Sequence, residues 1–442
     1  MQPATVALVR YDSPAPSLRR VVELAGGLPP GRRDMRVFIK PNIVFWTRAA
    51  VFPKWGVITT SRVVEEMVVL LKEHGFEHIT IGEGIVTADP TDRETPAHAF
   101  ASLGYEQLQK RYGVHLVNIF ERPFQAADLG DGIRLRFNRD ILQSDLVVDL
   151  PVLKSHNQTV VSLGIKNLKG TLDLASRKKC HSARSDQDLH AHVSRLADAM
   201  PPIFTLIDGI FSLERGPGPD GKMHRTNLLI ASHDILAADT VGARVMGYTP
   251  DQVPHLAHAA TRRGWPLDLS PIQTRGEAIE AVARLHRCDF PYQETEDVCL
   301  PAPMVRQGLR GIYYRKFDTT MCTYCSGING LVLSAIRQAW KGEAFDRVEV
   351  LTGKKMQPTA GMNKTILLGK CIYQAHRDNP LINELIAVKG CPPKAEEILG
   401  ALQRAGIDAD PQLFEARERL PGLLMDRYAK RPEFDEAFFR VP

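Results

Sequence analysis

The sequence has no long apolar run. No stretch approaches the roughly 18 residues a membrane-crossing helix needs, so no membrane span is expected. The opening residues Met1-Gln2-Pro3-Ala4-Thr5 lack the basic start and apolar core of a secretory signal. Both absences point to a cytoplasmic protein. Charge of one sign is also scarce: the net charge is +5 over 442 residues, with lysine and arginine spread along the chain. No RNA-binding signature or zinc-finger spacing occurs, so no nucleic-acid partner is expected. The small surplus suits an anionic small molecule or an acidic protein. Phosphate-binding fingerprints are missing too. Gly216-Pro217-Gly218-Pro219-Asp220-Gly221 matches neither a P-loop nor a dinucleotide turn. Gly82-Glu83-Gly84 lacks the third glycine and the later acidic residue, so no nicotinamide or ATP site is predicted. There is no internal repeat and no low-complexity tract.

What is present is cysteine, seven in all. Reduced thiols in the cytosol argue for metal binding or catalysis over disulfides. Four stand out: the pair in Cys322-Thr323-Tyr324-Cys325, then Cys371, then Cys391 in Val388-Lys389-Gly390-Cys391-Pro392-Pro393-Lys394. Cys371 and Cys391 follow apolar runs that read as β-strands (residues 366–369 and 385–388), so both belong at one sheet edge, where ligands bind in parallel sheets. Cys391 is expected at the amino end of a helix, whose N–H groups stabilise a thiolate. The Cys322/Cys325 pair is expected on a loop just before a helix. Zinc and a [4Fe-4S] cluster both accept four cysteines. With only one short pair, and with Gly327, Gly330, Gly369 and Gly390 letting backbone approach, the pattern favours the cluster, with zinc as the alternative. Cys180, Cys288 and Cys299 lack this context; only Cys180, beside Lys178, Lys179 and His181, merits attention.

The fold class expected is α/β: two mostly parallel-sheet units, the second smaller and flavodoxin-like. In the first, strand-like runs at 36–40, 78–82, 145–150 and 204–208 alternate with helix-like stretches such as the one from Ser61, the pattern of crossover units. The expected division is residues 1–250 as an α/β domain with an anion cleft, 251–310 as a connector with helical excursions, 311–406 as a cysteine-rich cluster-binding α/β domain, and 407–442 as a tail on the surface.

The same edge rule selects polar residues in the first unit. Lys40, Asn42, Lys166, Asn167 and Lys169 are candidate anion-binding groups. Lys154, His156, Glu83 and Asp208 are candidate catalytic groups, with His156 and Glu83 as proton donors and Asp208 as an orienting group. Any one strand-end lysine or aspartate is more often a loop anchor; the case rests on the set. His181, His190 and His192 share no helical face and make a weak metal site.

Lys40-Pro41-Asn42, Leu153-Lys154-Ser155-His156, Lys166-Asn167-Leu168-Lys169-Gly170, Asp208-Gly209, Gly216-Pro217-Gly218-Pro219 and Ala238-Asp239 occur in order. Together they resemble the uncharacterised domain-of-unknown-function family 362, over about residues 5–250. Members often carry iron–sulfur modules, commonly a ferredoxin-like one with closely spaced cysteines, so the resemblance implies an iron–sulfur-linked role. The cysteines here are widely spaced instead. The Val388–Lys394 segment is similar to the cluster-ligating turn in the small subunits of NADH:quinone oxidoreductase and [NiFe] hydrogenase, which implies a cluster but not quinone or hydrogen chemistry. The expected function is an iron–sulfur reductase or electron-transfer enzyme that takes electrons from a ferredoxin-like donor and acts on an anionic small molecule. The alternative is a non-redox isomerase, lyase or hydrolase with structural zinc.

Overall fold

In a computed structural model, residues 3–87, 89, 91–316 and 318–441 are described. They form two compact α/β units. The larger comprises the chain through Arg177, His190–Asp289 and everything from Pro421 onward; the smaller comprises Lys178–Leu189 and Phe290–Leu420.

The larger unit contains strands β1 (Ala4–Arg10), β2 (Arg36–Pro41), β3 (His78–Glu83), β4 (His115–Asn118), the separate ribbon β5 (Phe124–Asp128) and β6 (Arg134–Asn138), then β7 (Leu146–Leu150), β8 (Val152–His156), β9 (Val160–Ser162), β10 (Ile203–Glu214), β11 (Lys222–Ser232) and β12 (Ile272–Gly276). Its main sheet runs in the order β12-β1-β11-β10-β7-β2-β3-β4. On that path only β11 is antiparallel to its neighbours. The register sets Lys40 of β2 opposite Asp149 of β7, which brings two charged strand ends to one level. The strands at 36, 78, 146 and 203 begin within a residue of their expected places. β10 runs on to Glu214, so Asp208 lies inside a strand and not at its end.

The helix Ser61–Glu73 buries Val63, Val64, Met67, Val68 and Leu71, an apolar stripe at helical spacing. Asp208 anchors its start: the Thr60 N–H donates to Oδ2 at 2.7 Å, and the Ile210 N–H donates to Oδ1 at 3.1 Å. A carboxylate at a helix amino end is favoured by the unpaired N–H groups there.

The smaller unit holds β13 (Tyr292–Glu294), β14 (Val298–Pro301), β15 (Ile312–Tyr314), β16 (Val348–Leu351), β17 (Lys364–Leu368) and β18 (Glu384–Val388). They stand side by side in chain order, parallel from β14 onward. The parallel α/β architecture is as expected, but the order lacks the reversal of flavodoxin-like sheets. One sheet face packs on the helices Ala302–Arg306, Thr323–Ala339 and Ala395–Arg404 through Val305, Val332, Ile336 and Ile398. The Lys370–His376 helix contributes Ile372 to a separate cluster with Met321, Leu351 and Leu367.

The chain from Pro421 is not a surface tail. Tyr428, Phe434, Phe439 and Val441 are buried in the larger unit's core. Phe434 packs on Trp55 with ring centroids 5.3 Å apart, on Tyr428 at 4.7 Å and on Phe211 at 5.9 Å. The flanking charges that made this segment read as solvated hide aromatics spaced to fill a core. Phe434→Ala is therefore expected to destabilise the larger unit by about 3 kcal/mol. Urea unfolding followed by tryptophan fluorescence checks this, and an unchanged midpoint would show that the segment only rests on the surface.

Candidate functional site

At the carboxyl ends of β2, β3 and β7 the larger unit holds a closed polar network. The Lys40 ammonium donates to Glu83 Oε2 at 2.8 Å, to the Pro41 carbonyl at 2.6 Å and to Asn167 Oδ1 at 3.3 Å. The two charged side chains are 0% and 4% exposed, so this pair is dry. Glu83 also accepts from the backbone N–H groups of Ile43 at 2.8 Å and Gly84 at 2.7 Å. The Asn167 amide donates to Asp149 Oδ1 at 2.8 Å and to the Lys40 carbonyl at 3.2 Å, and its oxygen accepts from the Asn42 amide at 2.7 Å. Asn42 in turn accepts from the Lys154 ammonium at 2.6 Å, which also donates to the Val57 carbonyl at 2.8 Å.

Burial shapes the protonation states. It lowers Lys154 to about 7, with the Glu83 carboxylate opposing and the Lys40 ammonium adding to the shift. It drives Asp149 well above the usual carboxylate range, against the Asn167 hydrogen bond and Lys40. Asp149 Oδ2 has no hydrogen-bond partner. Asp239, raised to about 7 by burial, accepts the N–H groups of Gly164 at 2.7 Å and Ile165 at 2.8 Å. It thereby fixes the segment that leads to Lys166 and Asn167. A side chain at Gly164 would lie 2.9 Å from Asp239 Oδ1 and 3.0 Å from Asp149 Oδ2, so only glycine fits there.

The structure thus brings Lys40, Asn42, Glu83, Lys154 and Asn167 together, but as a buried plate and not as the walls of an open cleft. Lys169 is buried as well. Asp208 stands apart as the helix anchor described above. His156 and Lys166 form a second group beside the plate. The Gln158 N–H donates to His156 Nδ1 at 3.0 Å, and Lys166 Nζ lies 3.4 Å from His156 Nε2. Lys166 is half-buried, the most accessible of the predicted anion-binding lysines.

In the smaller unit all four singled-out cysteines follow the carboxyl ends of parallel strands. Cys322 is the cap of the Thr323–Ala339 helix after β15, and Cys325 lies in its first turn. Cys371 lies in the first turn of the Lys370–His376 helix after β17. Cys391 follows β18 but precedes the Lys394 cap of the Ala395–Arg404 helix, so the expected placement at a helix end applies to Cys325 and Cys371 instead. Gly369 N–H donates to the Val388 carbonyl at 2.8 Å and Lys370 N–H to the Gly390 carbonyl at 3.3 Å, which ties the Cys371 and Cys391 turns together.

The thiols act on one another. Cys325 is driven far above the usual thiol range, first by the Cys322 thiol, then by burial, with Cys371 adding. Cys371 is raised by burial and by Cys391 and Cys322, against the lowering effect of Lys354 and Lys178. Lys178 Nζ donates to Cys391 Sγ at 3.7 Å and lies 4.9 Å from the Tyr324 ring centroid. Of the four glycines, Gly369 alone faces a thiol: at φ +105°, a side chain there would sit 3.5 Å from Cys325 Sγ. Gly327 and Gly330 have open space around them. Among the described residues, no three His, Cys, Asp or Glu side chains are grouped closely enough for a single ion. Cys180 and Cys299 are buried, and burial raises Cys299 to about 11.

Two residues had no usable signal in the sequence. Lys354, on the β16 turn, lies far from the cysteines in the chain. His255, 0% exposed on the Pro254–Arg263 helix, sits in a stretch without strand or motif context.

No helix of the described residues is long and apolar enough to cross a membrane. Among solved structures, the lactate racemase apoprotein of Thermoanaerobacterium thermosaccharolyticum aligns over 100% of this chain and 87% of its own, with a TM-score of 0.34 and 11% identity, too distant a likeness to carry an argument. A thylakoid-associated protein of Synechocystis sp. is 29% identical over 253 residues, covering 54% of this chain and 72% of the relative. Residues 37–244, which contain the whole buried plate from Lys40 to Asp239, match the family described as a domain of unknown function, DUF362.

Proposed function

We propose that this protein is an iron–sulfur redox protein, a reductase or electron-transfer enzyme, with Cys322, Cys325, Cys371 and Cys391 as ligands to a [4Fe-4S] cluster and a small anion as its substrate. The observation that carries this reading is the delivery of four thiols by three strand ends, with Cys322 and Cys371 acting on Cys325, and Cys391 and Cys322 acting on Cys371. Four thiolates so placed repel one another, and a cationic metal core reverses the balance by favouring every deprotonated sulfur. With only one short pair, and the other two cysteines coming from separate strand ends, the pattern suits a cluster better than zinc. Gly369, at φ +105°, holds the turn beside Cys325 in a backbone conformation that favours glycine. The ammonium of Lys178 stabilises charge on Cys391. A bound cluster supplies one-electron transfer.

The donor is proposed to be an acidic, ferredoxin-like protein. Cys371 and Cys391 are exposed, and Lys370, Lys389 and Lys394 on the same turns are exposed around them. Opposite charge steers such a partner to the cluster edge. In the larger unit the buried plate holds the Gly164–Gly170 turn, and Lys166 on that turn is the lysine proposed to meet the anion.

Anaerobic purification followed by iron, sulfide and zinc analysis is expected to give iron and sulfide in equal amounts and a broad visible absorbance that dithionite bleaches. Cys391→Ala is expected to lose most of that absorbance while the larger unit keeps its unfolding transition. One zinc and no sulfide would establish the non-redox alternative. Reduction by a ferredoxin should slow about fivefold as salt rises from low to physiological strength, and Lys370→Glu with Lys389→Glu should abolish that dependence; a rate indifferent to salt would remove the acidic partner.

Lys154 yields a pH prediction. Its folded pKa, about 7, lies below the ordinary lysine value of 10.5, so between those limits the unfolded chain binds more protons. The stability of the native protein therefore rises with pH in that window through this group and is insensitive to it below pH 7. From pH 7 to 10 the stability of the wild type relative to Lys154→Met is expected to grow by about 4 kcal/mol. Parallel stability curves would mean that Lys154 keeps its charge when buried.

A further inference from the structure

The larger unit has a cavity of about 650 Å³ lined by Ala25, Ser232, His233, Asp234, Arg263 and Trp265 among others. It lies away from the buried plate. β11 runs against β10 and β1, so its carboxyl end and the start of β1 stand at the amino ends of β2 and β7, the opposite edge of the same sheet. A space of this size accepts an organic molecule.

The walls are fixed by local bonds. Ser232 Oγ donates to the Thr5 carbonyl at 2.8 Å and accepts from the Asp234 N–H at 3.0 Å. Gly264, at φ +64°, ends the Pro254–Arg263 helix, and the Trp265 N–H turns back to the Ala260 carbonyl at 2.9 Å. That left-handed stop places Trp265 against the cavity.

The chemistry of the lining narrows the ligand. Asp234 Oδ1 caps the Ile235–Val245 helix by accepting from the Ala237 N–H at 3.0 Å. The same carboxylate accepts from Arg263 Nη1 at 3.0 and 3.1 Å. It thus stands where an anion would bind and cancels the arginine charge, so a phosphate or carboxylate gains little here. Asp234 engages Nη1 alone, and the half-exposed guanidinium keeps its other N–H groups to donate. Its carbon lies 5.9 Å from the Trp265 ring centroid. Guanidinium and indole are both flat surfaces on which an aromatic ring stacks. His233 Nε2 meets the Gly27 carbonyl at 2.7 Å, and a carbonyl only accepts. The neutral imidazole therefore carries its proton there and offers a lone pair on Nδ1.

We infer that this cavity binds an uncharged, fused nitrogen-heteroaromatic ring, a purine or an isoalloxazine. The ring stacks on Trp265, accepts from Arg263 and donates to His233 Nδ1. Both ring systems carry a donor beside an acceptor on one edge, the pattern these two side chains match. This goes beyond the proposed function and rests on none of it: a preparation without iron would refute the redox reading and leave this site to be tested unchanged.

The test is calorimetric titration of the full chain with adenosine, adenosine monophosphate and riboflavin, read together with nitrogen-15 spectra of the tryptophan indoles. Adenosine or riboflavin is expected to bind saturably and to move the Trp265 line, identified by its loss in Trp265→Phe. The lines of Trp46, Trp55 and Trp340 should stay. Tighter adenosine binding names a purine, and tighter riboflavin binding a flavin. The monophosphate should bind no better than adenosine. Trp265→Leu should weaken binding about tenfold with an unchanged melting temperature. An unmoved Trp265 line in the wild type with both rings at millimolar concentration would overturn the inference whether or not the variants fold. Undiminished binding by Trp265→Leu would do the same, as would a monophosphate that binds about tenfold tighter than adenosine, since charge would then govern the site.

Discussion

The buried ion pair of Lys40 and Glu83 sets the terms for the larger unit. Two charges removed from water at 2.8 Å are tolerable only when every remaining donor and acceptor is met. That demand reaches outward. The second and third protons of Lys40 require the Pro41 carbonyl and Asn167, Asn167 requires Asp149 and Asn42, and Asn42 requires Lys154. Segments from four parts of the chain are thereby pinned at one sheet edge. Removing a single member would strand a buried charge. The plate is consequently sealed, and the half-buried Lys166 lies beside it with His156.

The smaller unit solves a different electrostatic problem. Its sheet delivers four thiols to one edge with few carboxylates and several lysines near by. Cys325 is made harder to ionise by Cys322 and by burial, and Cys371 by burial and by Cys391. As ligands of the proposed cluster they would gain from the same crowding, because a positive core would attract all of them together. Cys322 caps one helix, Cys325 lies in its first turn and Cys371 lies in the first turn of another. The two units therefore use burial differently: in one it locks charges that are already paired, in the other it keeps Cys325 and Cys371 protonated at a partly exposed sheet edge.

The first residues recognisable in the sequence were those governed by local rules. Strand ends at Lys40, Glu83 and Cys371 were legible because apolar runs stop where the sheet stops, and the helix from Ser61 because its apolar residues recur at helical spacing. Three things were not. Asp208 read as a cleft residue, but β10 continues past it and turns its carboxylate to the Thr60 amide. The segment from Pro421 read as a solvated tail because its aromatics are scattered among charges, and only packing shows that Phe434 and Tyr428 meet Trp55. His255 offered no pattern, since the ring it stacks on, His190, lies far from it in the chain.

By itself the sequence determined the α/β class, the parallel strands with their polar ends and the candidate thiolate set, because hydrophobic periodicity and residue chemistry are properties of neighbouring positions. Tertiary structure alone decided which of those polar ends are sealed and which stay reachable. Burial and hydrogen-bond completion depend on partners more than a hundred residues away, as Lys40 and Asn167 are, and no local rule counts them.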